Sequence, residues 1–102
     1  MLLQLFCVYD SKAQAYMQPF FMQSKGQAVR SFGDVVNDSS TQFYKHPEDF
    51  TLFHLGEFDD ATAAFHLYSA PESVAQAIAL KKQMSFEVGQ NVIPFPGNDN
   101  VA

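Results

Sequence analysis

The stretch 50-FTLFHLGEFDDATAAFHLY-68 decides the fold. Phe50–Phe58 and Ala63–Tyr68 are rich in the aromatic and apolar residues that suit strands. They flank Asp59-Asp60-Ala61-Thr62, so the whole reads as a β-hairpin. Gly56 inside the first arm marks a bulge or a close backbone approach.

Working upstream, residues 41–49 (TQFYKHPED) read as an irregular connection. Before it, Ser24-Lys25-Gly26-Gln27 matches a capping box, with Ser at the N-cap and Gln at N3. Ala28, Val29, Phe32, Val35 and Val36 follow at helical spacing, opposed by Arg30, Ser31, Asp34 and Asn37. This is the clearest helix in the chain, and 37-NDSS-40 ends it. Leu2–Tyr9 (LLQLFCVY) is a first strand and Asp10-Ser11-Lys12 a turn. Ala15–Gln23 is a second strand, placed at a sheet edge or bulged at Pro19, which has no N–H for a ladder.

Downstream of the hairpin, Ser69-Ala70-Pro71-Glu72 matches a second capping box, with Pro in the first turn. Val74, Ala77 and Ile78 supply a weak apolar stripe, and Lys81 and Lys82 suit the last turn of a helix. Beyond Gln83 the pattern fades. Residues 84–102, ending 91-NVIPFPGNDNVA-102, read as an extended or partly disordered tail.

The order β-β-α-β-β-α predicts an α+β fold over residues 1–83. Its four-stranded, mainly antiparallel sheet has the helices packed on one face. Alternating directions then gather Lys12, Tyr44, Lys45, His46, Glu48, Asp49 and Glu72 at one end. They send Lys25, Asp59, Asp60, Lys81 and Lys82 to the other.

A chain of 102 residues suits one domain, and 47% apolar residues mark it as globular rather than disordered. The net charge of -5 argues against a protein that tracks phosphates by bulk charge. Cys7, the sole cysteine, permits no internal disulfide and reads as a small core residue. Leu2–Tyr9 is too short to span a bilayer. It also lacks the basic flank and cleavage site of a leader, so a soluble protein of the cytoplasm is expected, with no membrane partner.

In a hairpin centred on Asp60, His54 and His66 face each other. A metal needs further ligands, and the aligned Leu52 and Tyr68 supply none. Two half-exposed strand histidines are expected, with no metal and no cofactor. His46-Pro47-Glu48-Asp49 reads as a structural turn rather than an acid–base pair. No Gly-rich phosphate loop and no G-x-S-x-G is present, and nothing argues for an enzyme.

The aromatics, from Tyr9 and Tyr16 through Phe43 and Tyr44 to Phe65 and Tyr68, exceed what one helix-covered face needs. An uncovered aromatic sheet face stacks unpaired bases or buries itself against another protein. The acidic balance favours protein contact. The patch Lys12, Tyr44, Lys45 and His46 keeps single-stranded nucleic acid open.

The segments 8-VYDSKAQAYMQPFF-21 and 37-NDSSTQFYKHPEDFTLFHLGEFDD-60 resemble the small nonstructural protein of microviruses, in the gokushovirus group of single-stranded DNA phages. The shared run Lys45-His46-Pro47-Glu48-Asp49-Phe50 matches in full, and the resemblance covers residues 4–70. It implies a protein carried beside the replication initiator and absent from the virion. Such proteins are described as DNA-binding, or as acting when replication turns to single-stranded genomes for packaging. No catalytic residues come with the family. The reading is a non-enzymatic factor of phage genome replication in the host cytoplasm. Lys12, Tyr16, Tyr44, Lys45 and His46 are its nucleic-acid contacts. Single-stranded DNA, a replication-associated phage or host protein, and a second copy in a homodimer are its partners. The alternative is an adaptor that binds protein alone.

Overall fold

The computed structural model describes residues 1–82, so the 84–102 tail lies outside the described residues. The chain forms the expected α+β architecture, an antiparallel sheet with its helices on one face. Strand β1 (Leu2–Asp10) is central. It pairs along its whole length with β4 (Phe50–Asp59), from Leu2 opposite Asp59 to Asp10 opposite Phe50. Its other side takes two short strands in succession, β2 (Ala15–Tyr16) and β3 (Phe20–Met22). The expected second strand is thus broken at Pro19. Met17 N still donates to Val8 O at 2.7 Å, and the ladder resumes only at Phe20.

Helix α1 (Lys25–Val36) starts where the capping box placed it. Ser24 Oγ accepts from Gln27 N at 3.2 Å, while Gln27 Oε1 reaches back to Gln23 N at 3.2 Å. Ala28, Phe32 and Val36 are its buried stripe, packed on Phe6 and Val8 of β1 and Phe50 and Leu52 of β4. Burying a side chain such as Phe32 stabilises the fold by about 1.5–3 kcal/mol. Asn37 closes the helix: its Nδ2 donates to Gly33 O at 2.8 Å and to Leu80 O at 3.0 Å, while its Oδ1 accepts from Lys82 N at 2.8 Å. One side chain therefore ties α1 to the end of the described chain.

The 41–49 connection is more regular than expected. Thr41 caps a short helix α2 (Gln42–Lys45) by accepting from Tyr44 N at 3.2 Å, and a 3-10 turn follows at Pro47–Asp49. Phe43 of α2 completes the helical side of the core, edge-on to Phe50 at 4.6 Å and to Phe32 at 5.9 Å.

The segment after the hairpin corrects the sequence reading. Ser69–Gln76 does not open a helix but prolongs β5 (Ala64–Gln76), and only Ala77–Leu80 is helical, as α3. Strand β4 runs on to Phe50 and offers a ladder that β5 follows, with His54 opposite Glu72, Phe53 opposite Ser73 and Leu52 opposite Ala75. The supposed helical stripe has little to bury: Ala77 is enclosed, but Ile78 is 51% exposed. Pro71 is accommodated because β5 is an edge strand. It also falls in the stretch between Leu67 and Glu72, where the β4–β5 register shifts across the bulge at Leu55.

That bulge sets which side chains share a face. Across it, β4 pairs Gly56 with Leu5 and His54 with Phe6, so Leu55 is the extra residue. One added residue inverts the alternation. Phe53 below the bulge and Phe58 above it therefore both lie opposite α1, with Leu3, Leu5, Cys7 and Tyr9 of β1. Cys7 is only 2% exposed there, and burial pushes its thiol pKa up.

Candidate nucleic-acid interface

The hairpin register differs by three residues from the expected one. Asp59 pairs with Ala64 around a turn in which Ala63 takes φ 64°, and this sets His66 opposite Glu57 rather than His54. The two histidines do not meet. Nor is His54 half-exposed, as expected: it is 4% exposed on the helix side of the sheet. Its ring stacks on Phe6 at 4.7 Å and meets Tyr68 edge-on at 4.9 Å. Nε2 lies 2.9 Å from Gln4 Oε1, and Nδ1 faces Glu72 Oε1 at 3.5 Å, too long for a hydrogen bond. Glu72 also takes Lys25 at 3.4 Å. It therefore belongs to mid-sheet and not to the end where the sequence put it. His54 alternates in phase with the buried Phe50 and Leu52, but spacing alone did not mark that face, rather than the face of Phe53, as the covered one.

The end formed by the 10–14 turn, α2 and the 3-10 turn is real. Ser11 N donates to Asp49 O at 2.9 Å and joins the first turn to the second. Asp10 Oδ1 accepts from Lys12 N at 3.0 Å and Ala13 N at 3.3 Å, an Asx turn that fixes the backbone carrying Lys12. Lys12 and His46 line one depression with Asp10, Gln42, Asp49 and Phe50. His46, Glu48 and Asp49 also converge, with ligand atoms within 4.8 Å of one another. Two of these three are exposed, and the group reads as the solvated chemistry of a turn.

Lys81 belongs to this end too, against the expectation that it and Lys82 lie opposite. Because the last helix is short, the chain returns along α1, and Lys81 Nζ sits 4.0 Å from the Tyr44 ring centroid. The same ammonium donates to Tyr44 O at 3.1 Å. Such a cation–π contact is worth about 0.5–1 kcal/mol near a surface. Lys12, Lys45 and Lys81 thus gather around one end, with Asp10, Glu48 and Asp49 interleaved, while Lys82 lies beside Asn37 and lines a depression along α1 with Arg30 and Asp34.

Tyr16 lies around the corner from Tyr44, on the sheet face that α1 does not cover. Paired with Tyr9, it sits 4.7 Å from that ring and 5.6 Å from Phe53, and it is 51% exposed. Tyr9 and Phe53 meet edge-on at 6.4 Å, closing a three-ring cluster beside the Lys12 turn. A second cluster occupies the far end of the same face: Phe58 lies 5.4 Å from Phe21 and 4.8 Å from Phe65. Asp59 and Asp60 flank that end. The expected contacts therefore divide. Lys12, Lys45 and His46 share an end with Tyr44, whose ring is taken by Lys81, while Tyr16 leads onto the open face. Tyr9 and Phe53 are the partners that sequence reasoning left unassigned; the strand register, not any motif, brings them to Tyr16.

These features define a small α+β protein whose antiparallel sheet carries helices on one face and aromatic clusters on the other. The chain belongs to the family of Phage ORF5 proteins, whose model matches residues 3–80. Neither a curated protein nor a solved structure matches it. Among the described residues no helix is long and apolar enough to cross a membrane.

Proposed function

We propose that this phage protein is a non-enzymatic accessory factor of viral genome replication that holds single-stranded DNA in the host cytoplasm. The resemblance to the microvirus nonstructural protein supplies the biological setting. The observation that carries the reading is Tyr16, half-exposed on the sheet face that α1 does not cover, packed tilted and edge-on against Tyr9 and Phe53, and adjoining the lysine-bearing end. Splayed bases stack on such rings without regard to sequence, each stack contributing about 1–3 kcal/mol. Lys12 and Lys45 then meet phosphates. The net charge of -5 restricts attraction to this end, so binding is modest and strongest at low salt.

The test is fluorescence anisotropy with a labelled single-stranded oligonucleotide at low salt. Tyr16→Ala is expected to weaken binding by about 5- to 150-fold, the equivalent of one lost stack. Failure of the parent protein to bind at tens of micromolar would defeat the proposal and leave the protein-adaptor reading. That second reading draws on the other aromatic cluster, which lies beside carboxylates where DNA is repelled.

A further inference from the structure

The far end of the open face carries a different kind of surface. Phe65 is 54% exposed, Leu67 62% and Phe21 45%. Asp59 and Asp60 close the adjacent turn, so a polyanion is excluded from this end. Strand β5 is the last strand of the sheet, and its outer edge has no partner strand among the described residues. The segment Ala64–Tyr68 (AFHLY) holds no acidic residue and no lysine, the usual guards of an open edge. The opposite sheet edge is guarded: it is broken into two short strands by Pro19.

The geometry points to a second copy of this chain as the occupant, joined through an antiparallel pairing of the two Ala64–Tyr68 edges about a two-fold axis at His66. An isologous interface must be self-complementary, and this segment is. Pairing about His66 sets Phe65 of each copy against Leu67 of the other on the open face, and Ala64 against Tyr68 on the helix side. The row Phe21–Phe58–Phe65 then continues without a break into the second copy. The register is pinned at both ends. The turn closed by Asp59 and Ala64 stops it on one side, and the Pro71 stretch, where β5 parts from regular pairing, stops it on the other. A neutral, apolar edge in an acidic chain is also where two copies approach with least charge repulsion. Covering the exposed parts of Phe65, Leu67 and Tyr68 in both copies buries roughly 700 Å² in total, at the low end for a specific contact, which suits a weak, reversible dimer.

Sedimentation velocity on the full chain, up to about 100 micromolar, tests this. The expected result is a concentration-dependent dimer. Leu67→Lys should weaken it by at least about tenfold, because a lysine at the centre of a paired edge must be desolvated. Ile78→Lys, on a comparably exposed residue in α3 beyond the other end of β5 from Ala64–Tyr68, should leave it intact. His66→Cys gives a readout that does not depend on stability: residues facing each other across an antiparallel pair have Cβ atoms about 4.5–5.5 Å apart, within reach of a short bis-maleimide, which should link two copies while the buried Cys7 of the parent does not react. A single-chain mass throughout the range, a dimer indifferent to Leu67→Lys, or no cross-link from His66→Cys would each overturn the assignment. DNA binding through Tyr16 is measured separately and can survive any of these results.

Discussion

Gly56 sits at φ 152°, a backbone conformation that L side chains rarely adopt, and a Cβ built there would lie 2.4 Å from His66 O and 2.7 Å from Leu67 Cα. No flexible side chain is available to give way, since both neighbours are backbone. Gly56→Ala is therefore expected to destabilise the protein by about 2–4 kcal/mol. In thermal denaturation that appears as a drop of about 4–8 °C for each kcal/mol. A melting temperature within a degree of the parent would mean that the two strands part easily at this point. Gly56 was legible in the sequence as a bulge because glycine in the interior of a strand has few other uses. His54 was not. It shares the buried face with Phe50 and Leu52 by simple alternation, but Phe53 on the other face is as apolar, so spacing did not mark the side that the helices cover. The hairpin register and the bulge then set His66 opposite Glu57, so the facing pair on which a shared metal would depend does not form.

The two capping boxes make a natural experiment at the level of the element. Ser24-Lys25-Gly26-Gln27 precedes a stripe with three buried residues, Ala28, Phe32 and Val36, and a helix forms. Ser69-Ala70-Pro71-Glu72 has equally good local chemistry but precedes little that can be buried, and β4 offers it a ladder instead. A capping box contributes about 1 kcal/mol, whereas burial of a stripe contributes several times that, so tertiary pairing decides the outcome. Ser24→Ala is accordingly expected to cost about 1 kcal/mol in urea unfolding, and Ser69→Ala less than about 0.5 kcal/mol. Equal costs would indicate that residues 69–80 are helical in solution. What the sequence made plain, then, was each element whose local signals and burial agree: β1, α1, the hairpin arms and the edge at Pro19. What it concealed was the length of β5, since a polar, alanine-containing edge strand has neither alternation nor β-branched enrichment to reveal it.

Charge organises the whole molecule. The short α3 turns Lys81 back onto Tyr44 and leaves Lys82 beside the end of α1, so Lys81 joins Lys12 and Lys45 at one end, while Glu57, Asp59 and Asp60 mark the other. Reading the last segment as a full-length helix had sent Lys81 to the wrong end, and the basic character of the candidate interface was therefore understated from sequence. The consequence is measurable as salt dependence. Each phosphate contact to a single strand contributes about 0.7 to the slope of log affinity against log salt, through release of condensed counterions. Lys12→Gln with Lys45→Gln removes two contacts and should reduce the slope by about 1.4, while Glu57→Gln, at the remote end, should leave it unchanged. Because exposed charges separated by more than about 10 Å are screened at 0.1 M salt, the remote carboxylates alter affinity only in dilute buffer. A slope that falls equally for the lysine pair and for Glu57→Gln would mean that only net charge matters and that DNA has no fixed seat. A slope unchanged by the lysine pair would move the phosphate path away from this end altogether. Loss of affinity on Tyr16→Ala with an unaltered slope is the complementary signature, since stacking releases no ions, and the two signatures together locate base and backbone on adjoining surfaces.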